Sequence, residues 1–207
     1  KLLDAIAAGK IARQELTAFH ARQIRGFRDA ALDAKLVDVW GAFRDSPADK
    51  AALIAQWKGR LTPATLAAAD QREGRALFMQ ACASCHRLYG EGTNLGPDLT
   101  GSGRADLDYL LQNLADPGAV VPKDYQLSLL TMKDGRVLSG MIRSRSENIV
   151  VLQTLTETLN LPASDVARSE TLPVSLMPDG LLGALDETQV RDLIGYLMSP
   201  GPPAGAK

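Results

Sequence analysis

The chain has 207 residues, a net charge of −1 at pH 7 and 45% hydrophobic residues. That length holds one large domain or two small ones, and no apolar run approaches what a bilayer crossing needs. Acids and bases are mixed along the sequence, which leaves neither the electrostatic footprint of a nucleic-acid binder nor a polybasic membrane anchor.

Residues 1–69 read as helices only. Leu32, Leu36, Trp40 and Phe43 fall at helical spacing and give one apolar stripe. Ser46-Pro47-Ala48-Asp49 is a helix-start pattern with a hydroxyl cap, a proline at the first helical position and an acid behind them. Ile54, Trp57 and Leu61 mark the buried face of that helix, and Thr62-Pro63 begins another short turn or helix. These helices resemble antiparallel pairs of a helical-repeat array, though they are too few to make a repeat. His20, beside Phe19, reads as a histidine on a helix surface or boundary rather than as a metal ligand. No signal-peptide pattern is visible; Lys1 opens directly into a helical pattern, the expectation being a fragment or a processed chain.

Asp70-Gln71-Arg72-Glu73 has the form of a capping box and opens the helix that delivers Cys82. Gly74 and Phe78 share one face of it. A glycine inside a helix costs about 1 kcal/mol against alanine, so close approach of a second helix is expected. The candidate is 186–198, where Val190, Leu193, Ile194 and Leu197 follow helical spacing, with Tyr196 expected to pack against Gly74 and Phe78.

Cys82-Ala83-Ser84-Cys85-His86 holds both cysteines of the chain in the pattern of covalent haem attachment. The thiols add across the two haem vinyl groups as thioethers, and residues on one helical turn are close enough for both to reach one edge of the ring. His86 then ligates the iron through a neutral ring nitrogen. A structural zinc site needs four ligands, more than the two Cys and two well-separated His supply, and a thioredoxin-like pair wants a preceding strand. Haem c is attached outside the cytoplasm, so a periplasmic or otherwise extracytoplasmic location follows from the motif.

Glycines at 90, 92, 96, 101 and 103 with Pro97 mark a loop. Residues 104–115 return to helix, which Asp116-Pro117-Gly118 ends. Runs at 125–132 and 137–143 flank Lys133-Asp134-Gly135-Arg136, a type I′ hairpin pattern. Residues 149–152, 158–161 and 166–170 are further strands, so about 50 residues form a small antiparallel sheet or barrel, whose hairpin edges offer a surface for dimerisation. Residues 201–207 read as a flexible tail or linker.

The second axial position of a haem iron holds a thioether in electron-transfer cytochromes or stays open for chemistry. Of five methionines, Met177 is the candidate. It lies in the non-helical stretch Ser175-Leu176-Met177-Pro178-Asp179-Gly180, where a loop can aim its sulfur. Met79, Met132, Met141 and Met198 read as core filler, and an open iron is the alternative. Arg104 and Tyr109 are candidates to bind a haem propionate, against a solvated arginine and a half-buried helix tyrosine.

The helix ending in Cys-x-x-Cys-His, then Gly96-Pro97-Asp98-Leu99, a Met-Pro loop and a last helix with Tyr196 resemble class I cytochrome c. The resemblance implies that the Pro97 carbonyl accepts from the His86 ring and that Gly74, Phe78 and Tyr196 form the crossing of first and last helices. The β segment inserted before the methionine narrows the likeness. Gly90-Glu91-Gly92-Thr93-Asn94-Leu95-Gly96, Asp134-Gly135-Arg136-Val137-Leu138-Ser139-Gly140 and Ser175-Leu176-Met177-Pro178-Asp179-Gly180 together resemble the Pirellula/Verrucomicrobium-type haem-binding domain. In that family the domain usually ends a larger secreted, dehydrogenase-like protein.

The expectation is therefore a mainly α chain: a class I cytochrome c fold over 70–121 and 173–200, an inserted antiparallel β subdomain at 123–172, and a helical repeat-like segment at 1–69. It would carry one covalent haem c on Cys82, Cys85 and His86, with Pro97, Met177, Arg104 and Tyr109 around it. Its role would be electron transfer rather than catalysis, from a redox protein partner or a fused dehydrogenase. A haem enzyme or a gas or peroxide sensor with an open distal site is the alternative.

Overall fold

The computed structural model describes residues 1–205. In chain order the elements are α1 (Leu2–Ala7), α2 (Ala18–Arg25), α3 (Ala30–Val39), β1 (Gly41–Phe43), α4 (Ala48–Arg60), α5 (Pro63–Ala67), α6 (Gln71–Ala81), β2 (Arg87–Leu88), β3 (Glu91–Gly92), α7 (Leu107–Ala115), β4 (Val120–Pro122), β5 (Gln126–Met132), β6 (Val137–Arg145), β7 (Ile149–Gln153), β8 (Thr158–Pro162), β9 (Val166–Ser175) and α8 (Glu187–Met198). With 42% helix and 22% strand, the chain is not mainly α. The strands of 126–175 are joined without an α-helix between them, and a five-stranded antiparallel sheet results. No helix among the described residues is long and apolar enough to cross a membrane. The tail expected over 201–207 lies partly outside the described residues.

The chain forms two compact units, Lys1–Arg44 with Val120–Leu176, and Asp45–Ala119 with Met177–Lys207. In the first, Leu3, Ile6, Leu16, Ala21, Leu36, Val39 and Trp40 form a helical core. Thr17 caps α2 and Asp29 caps α3 through side-chain oxygens. The apolar stripe that pointed to one helix through Phe43 is cut short, because α3 ends at Val39 and Gly41–Phe43 pairs antiparallel with Val120–Pro122. Gly41 permits this: a Cβ there would press on the Val121 carbonyl and lie 2.7 Å from Pro122 Cα.

The sheet of this unit has the order β8-β7-β6-β5-β9 and buries Leu130, Met132, Val150 and Leu152. Strand β9 runs to Ser175, well past the expected end at 170, because it pairs along the whole of β5. The β5–β6 turn is not type I′, which needs positive φ at both central residues. Only Gly135 has it, at 90°, while the Gly135 amide donates to Met132 O at 3.0 Å and the Met132 amide to Arg136 O at 2.8 Å. That is a type I turn closed by a glycine bulge, the usual three-residue solution. The edge strand β9 carries Arg168, Glu170 and Pro173, residue types that discourage edge-to-edge pairing.

The second unit takes α4 and α5 as well as α6–α8, so the helices of 1–69 do not form one segment. The reason is apolar burial: Trp57 and Leu61, with half-buried Ile54, join Phe78, Leu110, Leu111, Leu114, Val190, Ile194 and Tyr196 in one core. Ser46 makes no cap, since α4 starts behind Pro47 without a side-chain bond. Thr62 does cap α5, whose first position is Pro63. Helix α6 crosses α8 at Gly74. A Cβ there would collide with the Asp192 carbonyl and lie 2.6 Å from Tyr196 Cβ, while the Phe78 and Tyr196 rings sit 5.8 Å apart. The expected capping box at Asp70 is half made. Its carboxylate accepts from the Arg72 and Glu73 amides, but its own amide donates to Asp192 Oδ1 of α8 at 3.0 Å instead of to Glu73. The reciprocal box forms at Asp186 and Gln189, at the start of α8.

Candidate haem site

Helix α6 stops at Ala81, so the cysteine motif lies on a tight turn beyond the helix rather than on a helical turn. The Cys85 and His86 amides both donate to the Cys82 carbonyl, at 3.0 and 2.8 Å. That convergence folds the five residues back on themselves. Cys82 is buried and Cys85 half-buried. Burial, and then the neighbouring Cys85, pushes the Cys82 thiol up to about 11. No group of three or more His, Cys, Asp or Glu among the described residues is placed to hold a bare metal ion.

His86 is held from two sides. Its Nδ1 lies 2.9 Å from the Pro97 carbonyl. A carbonyl only accepts, so the proton is on Nδ1 and the Nε2 lone pair is left for a metal. Burial lowers the pKa of the ring, and the Pro97 bond partly opposes that. The imidazole is thus neutral near pH 7, the ligating form. Gly96 lies against the ring face, where an added Cβ would be 2.7 Å from His86 Cε1. Any side chain at 96 would displace the imidazole.

The segment expected as plain loop contains a hairpin. Strands β2 and β3 pair across Tyr89-Gly90, whose φ angles of 51° and 86° have the signs of a type I′ turn. A tyrosine at positive φ is strained, and its side chain is firmly held. The Tyr89 hydroxyl donates to the Ser199 carbonyl, and the Arg104 guanidinium lies 4.8 Å from its ring centroid. Beyond β3 the Thr93 amide donates to Ala83 O at 3.0 Å and the Gly96 amide to Cys85 O at 2.6 Å. These bonds stitch the Pro97 segment to the motif turn.

Arg75 and Glu91 join α6 to β3 through two bonds, Nε to Oε2 at 2.8 Å and a second from Nη2 to Oε1. The Arg75 hydrogen bond holds the Glu91 carboxyl below its ordinary value of 4.5. A carboxyl lowered in the folded state contributes stability that is full above 4.5 and lost as pH falls through the lower folded value. Glu91→Gln should therefore cost about 1 kcal/mol at pH 7. Denaturant titrations of both proteins should show that gap closing as the pH falls below 4.5. A gap that stays constant into acid would show that the pair contributes nothing through charge.

The remaining candidates fall in different places. Met177, half-buried, packs on the same core as Cys82, together with half-buried Leu99, Leu107, Leu181 and Leu185. Behind its loop Gly180 turns the chain at φ 83° and Leu182 is buried. Arg104 is buried, and its Nη1 donates to Leu197 O at 2.7 Å and to Ser199 O, closing the C-terminus of α8. Tyr109 lies half-buried in the first turn of α7, its amide bonded to Asp106 Oδ1 at 3.0 Å. His20 belongs to the first unit, Nδ1 3.0 Å from Thr17 Oγ1.

Sequence reasoning missed Lys50. Its ammonium donates to Asp179 Oδ1 at 2.7 Å, in the methionine loop, and to Asp116 Oδ1 at 3.4 Å, behind α7. The Asp179 bond is the main cause that raises its pKa, with desolvation opposing and Asp116 adding. A lysine in an amphipathic helix carries no signal of such partners.

These residues fit a covalently held haem: two sulfurs on one turn, a neutral imidazole with its outer nitrogen engaged, a side-chain-free cradle at Gly96, and half-buried apolar residues around the same core. No curated protein matches the chain. Residues 71–121 match the family model for cytochrome c. Geometry and match together support a c-type cytochrome domain with covalently bound haem, and with it a role in haem-based electron transfer.

Proposed function

We propose that the chain is a monohaem c-type cytochrome domain in which His86 and Met177 would hold the iron, passing single electrons from a dehydrogenase partner, fused or separate, to a further acceptor outside the cytoplasm. Its cytochrome part lies in the unit of Asp45–Ala119 with the chain from Met177 onward, and the strands between them belong to the other unit. The carrying observation is the His86–Pro97 bond, which presents one neutral nitrogen in a fixed direction. The narrower likeness to Pirellula/Verrucomicrobium-type haem domains supports the dehydrogenase partner and the secreted setting.

When bound, the haem supplies one-electron chemistry at iron, with thioether ligation favouring the reduced state. The chain's own part is to hold the ligands still. The Pro97 carbonyl keeps the proton on His86 Nδ1, Gly96 leaves the ring room, and the apolar residues around Met177 exclude water. Excluding water and fixing ligands reduces reorganisation when charge changes. No proton has to move in that scheme.

The test is the optical spectrum of the purified holoprotein, ferric and reduced. A weak far-red sulfur-to-iron band in the ferric form, with reversible one-electron reduction, is the expected result. A high-spin ferric iron that binds added cyanide or peroxide at once would overturn the reading in favour of an enzyme or sensor.

A further inference from the structure

The loop that carries Met177 is tied to α4, an element outside the residues that match the cytochrome c model. Asp116, fully buried behind α7, draws the Lys50 ammonium to within 3.4 Å. Lys50, itself only 20% exposed, reaches Asp179 with a 2.7 Å bond. Asp179 is 66% exposed at its side chain and lies two residues beyond Met177. The order of constraint follows from burial. A buried carboxylate needs its partner, so Asp116 fixes Lys50. Lysine is a compact charge with three rotatable donors, so Lys50 can hold a second carboxylate while keeping the first. Asp179 then takes its place from Lys50, and Pro178, with its fixed φ, transmits that to Met177.

We propose that Lys50 is a positioning residue for the sixth iron ligand, latching the methionine loop to the end of α7. The proposal rests on the reading of Met177 as ligand. It assigns α4 a role in holding the Met177 loop in addition to packing.

The test uses the holoprotein and imidazole, which competes with a protein ligand for ferric iron. Asp179→Ala releases the loop and leaves Lys50 with Asp116. The ferric protein should then bind imidazole about five-fold more tightly, the scale of one well-formed exposed ion pair. Asp179→Asn, which keeps an acceptor without the charge, should fall between that and the parent. The denaturation midpoint should hardly move, because so exposed a carboxylate loses little packing. An unchanged imidazole affinity in Asp179→Ala, with the far-red band present in the parent, would overturn the latch and leave Met177 ligation standing. Absence of that band from the parent would overturn both.

Discussion

Replacing Met177 by alanine should abolish the far-red ferric band and leave the iron high-spin or water-bound. The reduction potential should fall on the order of 0.1–0.2 V, a fraction of the ~0.8 V span that axial ligation commands. Met177 is half-buried on the core of its unit, so its truncation also removes packing, by about 1–2 kcal/mol, less than a fully buried methionine-to-alanine change costs. Met177→Leu separates the two effects. Leucine has a similar volume and costs little by packing, yet carries no sulfur. The expected pattern is a stability near that of the parent together with the spectrum and potential of the alanine variant. Potentiometric titration and the ferric spectrum of both variants decide it. If the band and the potential survive in Met177→Leu, another group holds the iron. Of the other two methionines of that unit, Met79 is 43% exposed on α6 and Met198 is held in the last turn of α8, whereas Met177 lies in a loop.

Gly74→Ala should destabilise the holoprotein by about 3 kcal/mol, the upper part of the range for overpacking a tight contact. The sign carries the information. An exposed helical glycine changed to alanine gains about 1 kcal/mol, so the two outcomes lie far apart. At Gly74 the obstacles cannot swing aside: one is the backbone carbonyl of Asp192, and the other is Tyr196 Cβ at 2.6 Å, fixed to its own helix. The helices must separate, and the Phe78–Tyr196 contact and the Asp70–Asp192 bond go with them. Guanidinium denaturation followed by far-ultraviolet circular dichroism measures the change. A variant as stable as the parent, or more so, would show that α6 and α8 do not cross at this distance.

The haem attachment motif was legible because its chemistry is local. Two thiols and an imidazole within five residues leave few uses, and the His86 ring meets Pro97 only eleven residues on. Strands β5–β7 were equally legible from alternating apolar runs around Asp134-Gly135, though the turn chose a glycine bulge over type I′. The Tyr89-Gly90 turn was not. Tyrosine is a poor candidate for positive φ, and what holds it there is a hydroxyl bond to Ser199, 110 residues away. The mainly α expectation failed because the strands of 126–175 join into one five-stranded sheet that it weighed too lightly against the N-terminal helices. It also left out Gly41–Phe43, a strand only because Val120–Pro122 lies beside it.

The sequence by itself determined where helices begin at Thr62, Asp70 and Asp186, which faces are apolar, where the haem-attachment pattern lies and that a β region precedes the methionine. Capping, periodicity and covalent attachment act within a few residues, so one chain suffices to read them. Only the tertiary structure decided that α4 and α5 share a core with Cys82, that Asp192 takes the amide of Asp70, and that Lys50 bridges Asp116 and Asp179. Those choices lie between partners of equal local merit. They are made by which apolar faces can be buried together and which buried charge then needs an opposite one, neither of which a stretch of neighbouring residues records.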